Sequence, residues 1–218
     1  MVTVSEDASA VEIDLKAAQL ACGGCGQQLR PWGWARWRTI REGWGPQRAV
    51  RRHRPRRARC AGCGATHVLL AASLAARRAD AAGVIAAAIE AKVAGGQGHR
   101  KIAARLGRPA TTVRDWLRAF ASSAEAIAEA FGAWTVRDAP DAAALWPAAV
   151  QEVGARALGV LGAYARAVGQ RFGVGALTWA RAGITATGGW LFSAPWWSRS
   201  GQHELALTGG GAGAGRSR

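Results

Sequence analysis

The stretch "HRKIAARLGRPATTVRDWLRAF", residues 99–120, decides the fold. Two short runs with helical periodicity flank Gly107, Arg108 and Pro109. Counting His99 as the first position, Ile102, Ala103, Leu106, Gly107, Val113 and Trp116 fall on the fourth, fifth, eighth, ninth, fifteenth and eighteenth. A helix-turn-helix needs apolar residues at the fourth, eighth, fifteenth and eighteenth positions. It needs a small residue at the fifth, where the helices cross, and Gly at the ninth for the turn. Arg108 departs from the usual apolar tenth position, and Pro109 suits a turn or a first helical turn. The second helix is expected to start near Ala110, with Val113, Trp116, Leu117 and Phe120 facing the core. Thr111, Thr112, Arg114, Asp115 and Arg118 are then left outside. Thr meets phosphate or a thymine methyl, and Arg reads guanine through two hydrogen bonds. Arg108, Thr111, Thr112, Arg114 and Arg118 are therefore the candidate DNA contacts of this segment.

Working outward, a helix over residues 79–93, with Val84, Ile85, Ile89 and Val93 on one side, completes a trihelical unit. "GGQG" at 95–98 ends it. On the other side, Ser122 and Glu125 make a capping-box pattern that predicts a fresh helix running to about Trp134. Pro147 suits the first turn of a longer helix reaching about Phe172. Its stripe comprises Val150, Val153, Leu158, Leu161, Tyr164, Val168 and Phe172.

Upstream, "CGGCG" at 22–26 and "CAGCG" at 60–64 pair Cys22 with Cys25 and Cys60 with Cys63. Two residues between cysteines let one tight turn aim both sulfurs at a point, and the neighbouring Gly residues permit positive φ. Four thiolates complete a tetrahedron, so one structural Zn2+ in a zinc ribbon is expected. His67 lies near the second pair but has no vacant position to fill. Glu42 is the only acid between residues 21 and 79, which argues against a catalytic metal.

Residues 51–59, "RRHRPRRAR", contain six Arg. At strand spacing Arg52, Arg54 and Arg56 share one face, and Arg51, Arg57 and Arg59 the other. Like charges at this density repel unless an anion neutralises them, so Arg51, Arg52, Arg54, Arg56 and Arg57 are read as phosphate contacts. Residues 47–59 read as an extended ribbon with Pro55 marking an edge, and residues 66–70 as a strand. Trp32, Trp34, Trp37 and Trp44 offer faces on which bases could stack, but the reading preferred for most of them is that they fill a small core.

The net charge is +15, and it is segregated. Residues 1–121 hold 21 Lys and Arg against 8 Asp and Glu, whereas residues 122–218 hold 8 against 6. Codon bias alone would not separate charge in this way, and a polyanionic partner follows. No apolar run reaches the length of a membrane span, and "MVTVSEDASA" has no signal-peptide pattern. Cysteines kept as metal ligands fit a cytoplasmic, nucleoid-associated protein.

The expected fold is mainly α with a small β zinc ribbon. It comprises a lead-in at 1–20 with alternation at Val11, Ile13 and Leu15, a zinc ribbon at 21–74, a helix-turn-helix at 78–121, a helical region at 122–186 and an irregular, partly disordered tail at 187–218. "CGGCG", "RARCAGCGATHVLL", "AARR" and the segment 98–120 together resemble an actinobacterial family of zinc-ribbon plus helix-turn-helix proteins. They are also similar to the N-terminal DNA-binding part of insertion-sequence transposases. The resemblance covers residues 20–121 and implies double-stranded DNA as partner in a mobile-element setting. In such transposases a catalytic domain with three acidic metal ligands follows. Here Glu125, Glu129, Asp138, Asp141, Glu152 and Glu204 lie in a stretch too short for that fold, so no nuclease is expected. A transcriptional regulator fits the same residues. A compact metal-dependent recombinase and a protein- or RNA-interaction module are the alternatives. The stripe at 150–172 predicts packing on the rest of the chain or a homodimer through the C-terminal helices.

Overall fold

The computed structural model describes residues 1–147 and 150–193. The chain runs β1 (Val2–Val4), α1 (Ala8–Lys16), β2 (Leu29–Trp34), β3 (Arg38–Glu42), β4 (Ala49–His53), β5 (Arg56–Cys60), β6 (Thr66–Ala71), α2 (Ala82–Val93), α3 (His99–Leu106), α4 (Ala110–Asp138), α5 (Val153–Arg171) and α6 (Trp179–Ala186). A four-stranded sheet has the order β1-β6-β5-β2, and β3 and β4 form a separate pair. Among the described residues, no helix is long and apolar enough to cross a membrane.

The lead-in is structured. Val2–Val4 pairs parallel to Leu69–Ala71, and Asp7 caps α1 by accepting from the Ser9 amide at 2.8 Å. Val11 and Leu15, one helical turn apart, sink into a small core with Cys22, Leu29, Ala58, Cys60 and Leu69. The expected alternation is thus a helical i, i+4 pair, and Ile13 stays exposed.

From β2 to β5 the backbone makes one long bent hairpin. Leu29 pairs with Cys60 at its base and Glu42 with Ala49 near its tip. The register slips between Pro31 and Trp34, and the pairing resumes at Arg38 opposite His53. The ribbon expected at 47–59 is therefore two strands broken around Pro55, whose ring removes a ladder donor.

The second, larger core gathers Ile40, Leu70, Ile85, Ile89, Ile102, Leu106, Val113, Trp116, Phe120, Ile127, Phe131, Leu161, Tyr164 and Leu191. It crosses the boundary expected between 121 and 122. Helix α4 is continuous through Ser122, whose hydroxyl donates back to the Ala119 carbonyl at 3.0 Å instead of capping a new helix. Ile127 and Phe131 continue the buried stripe begun by Val113 and Phe120, so the hydrophobic register carries the helix on. At about 1.5 Å per residue α4 is about 43 Å long. Helix α5 starts at Val153, not at Pro147, because Glu152 accepts from the Gly154 amide at 2.9 Å and also from that of Ala155. Its Leu161, Tyr164 and Val168 are buried, and Tyr164 meets Phe131 edge-on at 5.1 Å. The stripe that raised the idea of a homodimer is largely spent inside the chain, and only Val150, Val153 and Phe172 remain outside. Residues 188–192 are packed, with Leu191 and Phe192 buried. The remainder of the tail expected to be irregular, 194–218, lies outside the described residues.

The arm tip and the helices meet at Asp80. Its buried carboxylate accepts from Arg41 of β3 at 2.8 Å and from Arg108 at 2.5 Å. Arg108 also donates to the Leu106 carbonyl at 3.0 Å and the Gly43 carbonyl at 3.2 Å. The side chain of Arg108 is 1% exposed, so it is not available to DNA, contrary to expectation. An Arg at the usually apolar tenth position is tolerated here because its charge is matched and its donors are used. Asp80→Ala strands two cations against the fold. It is expected to lower unfolding free energy by about 3–5 kcal/mol, the cost of breaking a buried pair. A denaturant midpoint unchanged from wild type would refute this role.

Candidate metal centre and cationic arm

The two Cys pairs build matching turns. The Cys22 amide donates to Gln27 and the Cys60 amide to Ala65, both at 2.8 Å. Gly26 and Gly64 then donate back to the Cys22 and Cys60 carbonyls at 2.9 and 3.2 Å. Those glycines have φ of 71° and 73°, where a Cβ is strained. Amides also point at sulfur, with Gly24 to Cys22 at 3.4 Å and Cys63 to Cys60 at 3.5 Å. The Cys63 amide is the main reason that the Cys60 thiol falls to about 6, while the Cys63 thiol beside it is raised to about 11 by the Cys25 and Cys60 sulfurs, so without a metal the cluster favours a thiolate at Cys60.

All four sulfurs lie within 4.8 Å of one another, with Cys22 to Cys63 at 3.8 Å and Cys25 to Cys60 at 3.4 Å. A tetrahedral ion at about 2.3 Å from each thiolate sets its sulfurs about 3.8 Å apart. A disulfide needs about 2.05 Å, so the cluster has the spacing of a metal site. These four cysteines are positioned to hold one metal ion. His67 sits beside them, with Nε2 at 3.2 Å from the Cys22 sulfur. Burial holds its imidazole below the usual range, so it is a neutral neighbour to the thiolates. Among the described residues no other group of three or more His, Cys, Asp or Glu side chains comes together. Three of the acids after residue 121 have local roles: Glu125 pairs with Arg156, Asp138 with Arg137, and Glu152 caps α5.

The hairpin rising from this cluster, residues 29–60, carries eleven Arg and one Glu. Its cations divide by partner. Arg51 meets Glu42 at 2.6 Å, and Arg56 meets Glu12 at 2.6 Å with only 15% of its side chain exposed. Arg52 and Arg54 are exposed and lie over the Trp37 ring, at 4.9 and 5.8 Å from its centroid. Arg57 is half-buried on β5, and Arg59 lies 4.8 Å over Trp32. The tryptophans expected in a core are outside it: Trp32 is 50% exposed, Trp34 48%, Trp37 55% and Trp44 36%. Their physical reason is the size of the core between α1 and the sheet, which Leu29 and Ala58 already fill from this hairpin. The signal is present in "PWGWARW", where no Val, Leu or Ile accompanies the rings.

At the tip, Arg48 comes beside the turn between α3 and α4, where a Cβ on Gly107 would lie 3.4 Å from its guanidinium. Gly107 itself is left-handed, φ 61° and ψ 43°. On α4, Thr111, Asp115 and Arg118 point outward and Thr112 is half-buried. Arg114 pairs with Asp115 at 3.5 Å and, with Arg118, Lys92 and His99, borders a cavity of about 680 Å³ closed by Phe120 and Val153. The outward face thus keeps Thr111 and Arg118 but turns Arg114 to its flank.

Elemental analysis of freshly reduced protein is expected to find one metal ion per chain, and Cys60→Ser is expected to lose it. Because Cys22 and Cys60 belong to the smaller core, metal loss should also melt the sheet and raise protease sensitivity within residues 1–71. Metal-free protein of unchanged stability would contradict this. The chain matches no protein-family model, no curated protein and no solved structure, which leaves its own side chains to indicate what it does.

Proposed function

We propose that this chain binds double-stranded DNA, with α3 and α4 as a helix-turn-helix, the cysteine cluster as a zinc ribbon holding one structural Zn2+, and the long hairpin of residues 29–60 as a flanking arm. The observation that carries the reading is the arm of eleven Arg to one Glu, whose tip is tied through Arg108 and Asp80 to the turn that opens α4. That tie brings the tip of a cationic hairpin to the turn that opens a helix with buried residues at the positions such a motif requires, which supports the reading. A phosphate backbone neutralises the arm and releases counterions. Arg48, Arg52, Arg54 and Arg57 serve as phosphate contacts, with Arg51 joining them where Glu42 allows. Arg56 is already neutralised by Glu12, and Arg108 is internal. Thr111 and Arg118 meet base edges, Thr112 lines the approach, and Arg114 steadies the flank.

Zinc suits four thiolates, and its role is to close the base of the arm. The resemblance of residues 20–121 to the DNA-binding part of insertion-sequence transposases supports a mobile-element setting, and a transcriptional regulator would use the same face. Either role places the protein at the nucleoid.

Binding to duplex selected from random DNA is expected to fall with salt at a slope of about −5 in log–log form, for roughly 6 phosphates. Arg48→Ala with Arg52→Ala should flatten that slope by about 2. Arg118→Ala should cost about 1–3 kcal/mol on the selected sequence and much less on a scrambled one. Fluorescence anisotropy at fixed salt measures both. No duplex binding at low salt would overturn the reading, and equal losses on the two sequences would remove Arg118 from base contact.

A further inference from the structure

Four exposed tryptophans on one short hairpin are costly to keep in water, and they are not scattered among neutral residues. Arg52 lies on β4, Arg54 in the break beside Pro55 and Arg56 at the start of β5. Two indoles lie against them: Arg52 and Arg54 over Trp37, and Arg56 at 4.9 Å over Trp34. Trp34, Arg54 and Arg56 also line one shallow depression together with His53, Glu6 and Glu12. The guanidinium groups are themselves anchored, Arg54 to the Ala35 carbonyl at 3.3 Å and Arg56 to Glu12 at 2.6 Å and to the Gly33 carbonyl at 2.5 Å. Trp34 thus carries one anchored guanidinium and Trp37 two, one of them anchored, while about half of each side chain stays in water.

We infer that Trp34 and Trp37, with Arg52, Arg54 and Arg56, form a stacking platform for unpaired bases of single-stranded nucleic acid. Three properties of that ligand match the patch. Its bases expose flat faces, which a duplex hides in its own stack. A base added to the open side of an indole that carries a guanidinium on the other makes a three-layer stack with cation–π support. Its phosphates take up the charge of an arm that has one acid for eleven Arg. An aliphatic protein partner would use the ring faces but leave the cations unmatched. The inference extends the reading of the arm as an anion-binding element. It adds frayed or open strands to what the arm's middle meets: Trp34 and Trp37 take unpaired bases, while Arg52 and Arg54 keep their phosphate contacts on either ligand.

The test compares a labelled twelve-residue oligo(dT), the matching oligo(rU) and a duplex selected by the protein, by anisotropy at one salt concentration. The variants are Trp34→Ala with Trp37→Ala, and Trp34→Phe with Trp37→Phe. Each lost stack weakens binding about fivefold or more, so the double Ala variant should lose oligo(dT) affinity by roughly twenty-five-fold or more. Its duplex affinity should stay within about twofold. The Phe pair should recover most of the loss, because the π faces return. Metal content and thermal midpoint equal to wild type show that the arm is intact. Tighter oligo(rU) than oligo(dT) makes RNA the source of the strand, and the reverse makes it DNA. Wild-type protein that binds duplex but not oligo(dT) or oligo(rU) overturns the inference and leaves the duplex reading standing. Single-strand binding without duplex binding does the opposite. Equal losses on both ligands in a folded Ala variant also overturn it.

Discussion

The Asp80 carboxylate is the junction on which the arrangement depends. It lies just before α2, it is buried, and it holds Arg41 from the arm and Arg108 from the turn between α3 and α4. A buried ion pair adds little net stability over apolar packing of the same volume, because both charges lose their water. Its value is directional. A guanidinium that must reach a carboxylate and the carbonyls of Leu106 and Gly43 at once accepts few positions. The backbone repeats the tie, since the Arg41 amide donates to Ala79 and the Ala81 amide to Arg41. Strand β3 and helix α2 are therefore joined by main chain as well as by charge. Ile40, fully buried between them, brings the arm into the larger core.

The cysteine cluster fixes the other end. Leu29 and Cys60 face each other at the base of the hairpin, and both belong to the small core under α1. Anchored at the base by the cluster and near the tip by Asp80, the hairpin has its irregular pairing in between, around residues 32–37 and 54–55. That is where Trp34, Trp37, Arg54 and Arg56 emerge. A slip in register flips side chains between faces. The bend thus presents rings outward that a regular strand would have alternated. Arg56 to Glu12 ties this waist to α1, so the lead-in helix is part of the arm's support.

What the sequence made legible follows from where local rules and tertiary packing agree. The helix pair was readable because Ile102, Leu106, Val113 and Trp116 are spaced by the helix itself, and all four are buried. The cysteine pairs were readable because a two-residue gap and a following glycine encode the turn directly, as Gly26 and Gly64 bear out. Ser122 with Glu125 misled because a capping pattern is short, whereas the buried series through Ile127 and Phe131 runs on and outweighs it. Arg108 misled for a different reason. Charge at a turn normally means solvent, and only the distant Asp80 and Gly43 make burial tolerable. The tryptophans mislead because aromatic content suggests core, whereas the two short layers enclose little volume. Contacts at long sequence separation decide Arg108, while for Ser122 and the tryptophans a longer stretch of the local pattern already carries the answer.

The continuity of α4 has a mechanical consequence for the proposed duplex-reading face. Its first three turns pack with α2 and α3, and its last turns pack on α5 through Phe131, Trp134 and Tyr164. A separate helix beginning at Ser122 would let the C-terminal half pivot. One uninterrupted rod does not, because bending it breaks consecutive backbone hydrogen bonds rather than a single loop contact. The start of α5 returns to the N-terminal half, where Gly154 packs against Val93 and Arg156 reaches Glu125. Helix α5 therefore braces the rod from its middle at Glu125 to its last turns at Phe131 and Trp134, and its start also meets α2. Among the described residues the C-terminal half carries few charges, and it packs along α4 and stiffens it. For the proposed duplex binding, a stiff α4 tied to the arm at Asp80 needs little ordering before both meet one ligand.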